Sequence, residues 1–228
     1  MQTDALKAQA AFRAADHIHS GMCVGLGTGS TSRYFVLELA RRVQMGLLRD
    51  LVCVPTSQST EILAVSQGLA VERFQNQSID IAVDGADEVD PQWNLIKGLG
   101  AALLCEKLVE SNAKRLIIIA DHSKCVDHLG QRSPVPIELV PFGVQSTLVR
   151  LGRFGKPRLR CDALGQPHLT DGGNLICDLN FAGSPSIDIA TLAAELKLQV
   201  GVIETGFFVS MATGLIVASP EGLTERFK

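Results

Sequence analysis

The seven residues DGADEVD (84–90) hold four carboxylates, Asp84, Asp87, Glu88 and Asp90, directly behind the apolar run IDIAV. Shortly after comes KGLGAALLCEK (97–107), with Lys97, a glycine loop and Glu106. Clustered carboxylates raise one another's pKa and attract a cation, and Lys97 is the candidate. The same oxygens would also suit Mg2+ or Ca2+, although the EF-hand spacing is absent, and a solvated turn is the third use. On these residues alone the three stay open. Glu106 says more. On a helix its neighbours at i−4, i−3 and i+3 are Ala102, Leu103 and Val109, an apolar stripe, whereas Lys107 and Glu110 are expected to reach water more easily. Apolar surroundings destabilise a charged carboxylate and raise its pKa, which makes a proton shuttle near neutral pH. The alternative is a glutamate at the stripe's edge, reaching for solvent. Cys105 is a weaker nominee as nucleophile, because a buried helical thiol is commoner. Gly98 and Gly100 free backbone amides to face a developing oxyanion. Together these groups suit proton abstraction beside a carbonyl, through an enediolate, with no cofactor required.

A second motif, GLGTGSTS (25–32), stands where a strand hands over to a helix. Free N–H groups and the positive helix end make such a turn an anion site. It fails the dinucleotide fingerprint, since Ser30 and Ser32 occupy positions that need glycine, and it lacks the lysine of a P-loop. Three hydroxyls, Thr28, Ser30 and Thr31, suit a small phosphate better. A plain helix cap with glycines for tight packing is the other use.

These residues need elements to place them. Helical patterns are expected at 3–19, 32–44, 60–67 and 101–111, and apolar strands at 22–27, 51–55, 79–83 and 116–120. Continuous apolar strands separated by helices imply a parallel sheet covered on both faces. In such a sheet ligands bind beyond the strands' carboxyl ends, where Asp84, Asp87 and Lys124 would stand. After residue 134 the order becomes strand (PVPIELVP), helix 144–154, strand 156–160, strand 175–181, helix 187–198 and strand 200–205, which is βαββαβ, the ferredoxin-like order. A last strand at 215–218 returns to the first sheet. The expected fold is therefore α/β, a Rossmann-like parallel-sheet domain (1–130 and 207–228) with an inserted ferredoxin-like α+β lid or oligomerisation domain (131–206).

Composition narrows the partners. The 228 residues are 46% hydrophobic with a formal net charge of −3, enough apolar material for a sizeable core and no basic footprint for nucleic acid. No apolar run approaches the ~20 residues that span a bilayer, and the N-terminal residues lack the apolar stretch of a signal peptide. A soluble cytoplasmic protein is expected. Six scattered cysteines without a CxxC pair read as free thiols. His17 and His19, two apart on a helix, cannot share a metal, and none is expected.

GLGTGSTS, DGADEVD, KGLGAALLCEK and DHSK (121–124) fall in the order and spacing of the A-type ribose-5-phosphate isomerases, and the chain resembles that family from Leu6 to the closing ASPEG. The resemblance implies cofactor-free interconversion of D-ribose 5-phosphate and D-ribulose 5-phosphate in the pentose phosphate pathway, by a homodimer or homotetramer. It implies Glu106 as the base moving a proton between C2 and C1, Asp84 in ring opening, Asp87 beside it, and Lys97 near the reacting oxygens. It also implies substrate contacts at Thr28, Gly29, Ser30 and Thr31, at Gly85 and Ala86 beside the two aspartates, at Gly98, Leu99 and Gly100, and at Lys124, with Lys7 as a second phosphate contact. Leu99 departs from the family's Lys-Gly-Gly-Gly loop. If that position needs positive φ, leucine would be strained there by roughly 1–2 kcal/mol; otherwise the change is neutral. Two other readings remain: a related sugar-phosphate deaminase, lactonase or CoA-transferase, and a sugar-phosphate sensor domain. The sensor would need an output module, and no helix-turn-helix segment with a basic face is expected on either side.

Overall fold

The structure, a computed structural model, describes residues 2–181, 183–184 and 186–228. In chain order the elements are α1 (Gln2–Ala15), β1 (Cys23–Leu26), α2 (Ser30–Gln44), β2 (Val52–Pro55), α3 (Gln58–Ser66), β3 (Ile81–Asp84), β4 (Glu88–Val89), β5 (Leu95–Ile96), α4 (Leu103–Ser111) and β6 (Leu116–Asp121). A 3-10 turn follows at His122–Lys124, then β7 (Val135–Leu139), α5 (Val144–Leu151), β8 (Lys156–Leu159), β9 (Leu175–Asn180), α6 (Ile189–Lys197), β10 (Val202–Thr205), β11 (Phe207–Phe208), β12 (Gly214–Ser219) and β13 (Gly222–Phe227). The chain divides into two compact units, one of Met1–Ala86, Cys105–Lys124 and Met211–Lys228, the other of Asp87–Leu104 and Cys125–Ser210. Among the described residues no helix is long and apolar enough to cross a membrane.

The first unit is built on a six-stranded sheet, β13-β12-β6-β3-β1-β2, parallel except for β13 at its edge. Strands β3 and β6 are buried along their whole length, as unbroken Ile/Val/Leu/Ala runs must be when both sheet faces are covered. Ala10, Ala11 and Ala14 of α1 pack with Phe35, Leu39, Ile117 and Ile216, and the small side chains let the helix sit close. Val109 of α4 packs with Val54 and Ile79. In the second unit β7, α5, β8, β9, α6 and β10 form the ferredoxin-like motif as an antiparallel sheet in the order β10-β7-β9-β8. A small sheet, β11-β5-β4, stands in the same unit.

The elements differ from expectation mainly at their ends. Helix α2 starts at Ser30 rather than 32, β3 runs on to include Asp84, and α4 starts at 103 rather than 101. Strands β4, β5 and β11, two residues each, were not expected, since runs that short carry no periodicity, and neither was the mostly exposed edge strand β13. Cys53 and Cys177 are buried thiols, and burial pushes both up to about 12.

One buried charge orders two arginines of its own helix, α2, and one of them reaches Asp16. Glu38, 4% exposed, accepts from Arg41 Nε (2.7 Å) and Nη2 (2.8 Å) and from Arg42 Nε (2.8 Å), while Arg42 Nη2 also donates to Asp16 (2.7 Å). The Arg41 hydrogen bonds chiefly, and Arg42 with them, hold the Glu38 carboxyl below its ordinary value although burial pushes the other way. A depressed carboxyl stabilises the fold above its unfolded pKa, and that stability is lost as pH falls through the folded pKa. Glu38→Gln is therefore expected to cost about 1–2 kcal/mol at pH 7, since hydrogen bonds to charged groups contribute about 1.5–3 kcal/mol and Arg41 is largely exposed. The deficit should shrink as pH drops below about 4. Urea unfolding of both proteins at pH 7 and pH 3.5 checks it; a pH-independent gap would mean packing, not charge.

Candidate active site

Strand β3 delivers Asp84, its last residue, into complete burial. Asp84 Oδ1 accepts from Ser32 Oγ (2.6 Å) and from Gly85 N–H (2.6 Å). Ser32 lies in the first turn of α2 and is itself fully buried. Gly27, just past β1, donates its N–H to Val83 O at 3.0 Å, and its backbone crosses directly over the aspartate. A methyl group there would lie 2.0 Å from Asp84 Cγ. The sequence shows Gly27 and Ser32 inside the motif, but nothing in it signals that both serve Asp84.

The turn after β1 splits its hydroxyls between two jobs. Gly29 caps α2 with φ 129° and ψ −179°, a conformation open essentially to glycine alone. Ser30 Oγ accepts from Lys7 Nζ at 3.0 Å, so the structure joins the expected second phosphate lysine to the turn. Thr31 is buried. The Thr28 hydroxyl instead lies 2.7 Å from Thr56 Oγ1, 2.8 Å from Ser57 Oγ and 3.1 Å from Thr60 Oγ1, at the start of α3. Those three hydroxyls stand in the Ser/Thr-rich turn after β2, which the sequence shows as a turn and nothing more.

Glu106 is 3% exposed on α4. The helix is seated by Val109, for a Cβ at Gly25 of β1 would come within 2.9 Å of Val109 Cγ1. Leu103, Glu106, Val109 and Glu110 are each buried. The expectation that Glu110 reaches water is thus corrected: at i+4 from Glu106 it shares the buried stripe, at 3% exposure. Beyond β6, Asp121 Oδ1 accepts from Ser123 N (3.0 Å) and from the Ser123 hydroxyl, shaping the 3-10 turn that carries half-buried Lys124.

The second unit holds the glycine loop. Lys97 follows β5, is 2% exposed, and sets its Nζ 5.2 Å from the Phe208 ring centroid, an attractive cation–π placement. Gly98 has φ 104°, whereas Leu99 is not among the residues with positive φ. The leucine is unstrained, and its amide donates to Asp87 Oδ2 at 3.0 Å. That amide therefore faces the aspartate, not an oxyanion. The strain sits at Ala101, whose φ of 61° costs about 1–2 kcal/mol for a residue with a Cβ. Ala86, between the aspartates, is half-buried.

The crowded carboxylates disperse into separate duties. Glu88 accepts from the amides of Gly130 (2.6 Å), Arg132 (2.6 Å) and Ser133 (2.5 Å). Asp90 accepts from Gln92 N, Asn94 N and Asn94 Nδ2 at 2.8–2.9 Å. Both are loop anchors, because a buried carboxylate's lone pairs are well matched to convergent N–H groups. Among the described residues no group of three or more His, Cys, Asp or Glu side chains could hold a metal ion.

Open α/β proteins take their ligands beyond the carboxyl ends of a parallel sheet's strands, and here buried Asp84 and Asp121 end two of those strands. The family model for ribose 5-phosphate isomerase A (phosphoriboisomerase A) matches residues 52–222, and the chain belongs to this family of aldose–ketose isomerases. It is 46% identical to ribose-5-phosphate isomerase A of Deinococcus radiodurans over 99% of each chain. Against the protein of that name from Synechococcus sp. (strain JA-3-3Ab) it is 49% identical over 96% of each. Among solved structures, a D-ribose-5-phosphate isomerase in complex with phospho-erythronic acid is 40% identical with a TM-score of 0.95 over 100% of both chains. Ribose 5-phosphate isomerase from Plasmodium falciparum is 36% identical with a TM-score of 0.94 over 99% of both.

Proposed function

We propose that isomerisation of D-ribose 5-phosphate to D-ribulose 5-phosphate runs in this chain through an enediolate, with Glu106 carrying the proton between C2 and C1. Asp84 assists ring opening, Asp87 orients the sugar hydroxyls, and Lys97 meets the charge that develops on the reacting oxygens. Thr28, Gly29, Ser30 and Thr31, with Lys124 and Lys7, bind the substrate's phosphate end. Gly85, Ala86, Gly98, Leu99 and Gly100 supply backbone around the sugar. The observation that carries the reading is Glu106 at 3% exposure on α4, with Leu103 and Val109, three residues to either side, also buried; a carboxylate shielded from water is suited to taking and returning a carbon-bound proton. A cytoplasmic homodimer or homotetramer belongs to the same reading, and light scattering in solution tests the assembly.

Purified protein given ribose 5-phosphate with EDTA present is expected to form ketopentose. Lys124→Ala is expected to raise KM by about 10-fold with kcat nearly unchanged, because a phosphate contact persists from ground state to transition state. An unchanged KM removes Lys124 from the site. Binding of sugar phosphate without turnover would favour the sensor, and amino-sugar turnover or thioester formation a related enzyme.

A further inference from the structure

We propose that Arg160 is a positioning residue for the isomerisation: braced by Asp178, it fixes the peptide groups of the loop that follows Lys97. The inference rests on the reading of residues 97–100 as part of the substrate site. Arg160 lies just past β8 and joins the sheet through its N–H to Ile176 O at 2.8 Å. Asp178 stands two residues further along β9, on the same face. The guanidinium grips both Asp178 oxygens, through Nε at 2.9 Å and through Nη2. This fork–fork pairing sets the plane of the guanidinium.

The remaining nitrogen then has a fixed direction, and it is spent on the loop. Arg160 Nη1 donates to Gly98 O at 3.2 Å and to Leu99 O at 2.9 Å. Two successive carbonyls aimed at one donor is unlike a strand, where they alternate. Gly98 permits it through its φ of 104°, and Gly98 O also closes a tight turn with Ala101 N–H at 2.9 Å. All peptide bonds among the described residues are trans, so each N–H points opposite its carbonyl. Leu99 N–H accordingly reaches Asp87, and Gly100 N–H is turned to the side away from the guanidinium. Leu99 and Gly100 are both exposed, so side-chain packing does little to hold their peptides. A cation shared between two carbonyls does. Without it the adjacent carbonyl dipoles repel, the turn relaxes, and Gly100 N–H and the Asp87 carboxylate lose their set directions.

The test is steady-state kinetics on the full chain. Arg160→Met is expected to lower kcat by about 10–100-fold, as small misplacements of catalytic geometry do, while KM moves by less than about threefold. Arg160→Lys should recover only part of the loss, since one ammonium cannot hold both Asp178 oxygens and span two carbonyls. Added guanidinium ion at low millimolar concentration should partly restore Arg160→Met. Asp178→Asn should reproduce the kcat loss, with the double variant no worse than the single. A kcat within twofold of wild type in Arg160→Met, accompanied only by a lower Tm, overturns the proposal. Lys97→Met separates the two levels: if it abolishes turnover while Arg160→Met does not, only the brace is wrong. If Lys97→Met is fully active, the loop is outside the site and the brace falls with it.

Discussion

Glu106→Gln is expected to lower kcat by about 1,000-fold or more with KM within a few-fold. General acid–base groups contribute about 100–10,000-fold, and an enediolate route that must both remove and return a proton uses this one twice. The substitution conserves shape and removes only the ability to exchange a proton. Glu106 is 3% exposed, and neutralising one member of a buried interacting pair can cost stability, so Tm is read beside turnover. Loss of turnover in a variant that is still folded at the assay temperature reports chemistry. Glu110 supplies the control: it is buried to the same 3% on the same helix, one turn further along. Glu110→Gln should retain turnover within a few-fold. Stopped assays on both variants, alongside calorimetric Tm values, decide it. Near wild-type turnover in Glu106→Gln removes the assigned base.

The sequence carries the parts of this enzyme that depend on local pattern. Apolar runs ending in Asp84 and Asp121 give the parallel strands, the hydroxyl turn marks the start of α2, and the Leu103–Glu106–Val109 spacing marks the buried helix face. What stays hidden depends on partners far along the chain. Glu88 reads as one more member of the carboxylate cluster until Gly130, Arg132 and Ser133 arrive to be bound by it. Thr28 stands in the hydroxyl turn, but the motif does not show that its hydroxyl also meets Thr56, Ser57 and Thr60. Arg160 reaches the Leu99 carbonyl across 61 positions of sequence, a relation no periodicity encodes. Leu99 itself misdirects. A leucine in a glycine loop suggests strain, yet the backbone places the positive φ values on Gly98 and Ala101 instead. Glu110 shows the limit of helix-face reading, since a stripe wide enough for Leu103 and Glu106 also takes in the residue four further on.

Gly27→Ala is expected to reduce turnover by more than about 100-fold and to lower stability by at least about 1–3 kcal/mol, the cost of forcing a methyl into a filled site. The methyl would lie 2.0 Å from both Cγ and Oδ1 of Asp84 and 2.4 Å from its Cβ. Asp84 has nowhere to turn, being fully buried with Oδ1 held by Ser32 Oγ and Gly85 N–H at 2.6 Å each. Nor can the Gly27 backbone lift away cheaply, because its N–H is bonded to Val83 O at 3.0 Å. Gly85→Ala is the contrast, since the nearest atoms around a methyl there are 3.7–3.9 Å away, so its Tm should stay close to wild type. In the double variant Gly27→Ala/Asp84→Gly the clash is gone, and much of the lost Tm should return while turnover does not. That split assigns the glycine's role to the space that Asp84 occupies. A Gly27→Ala enzyme with wild-type Tm and full activity would mean that β1 and Asp84 do not approach this closely.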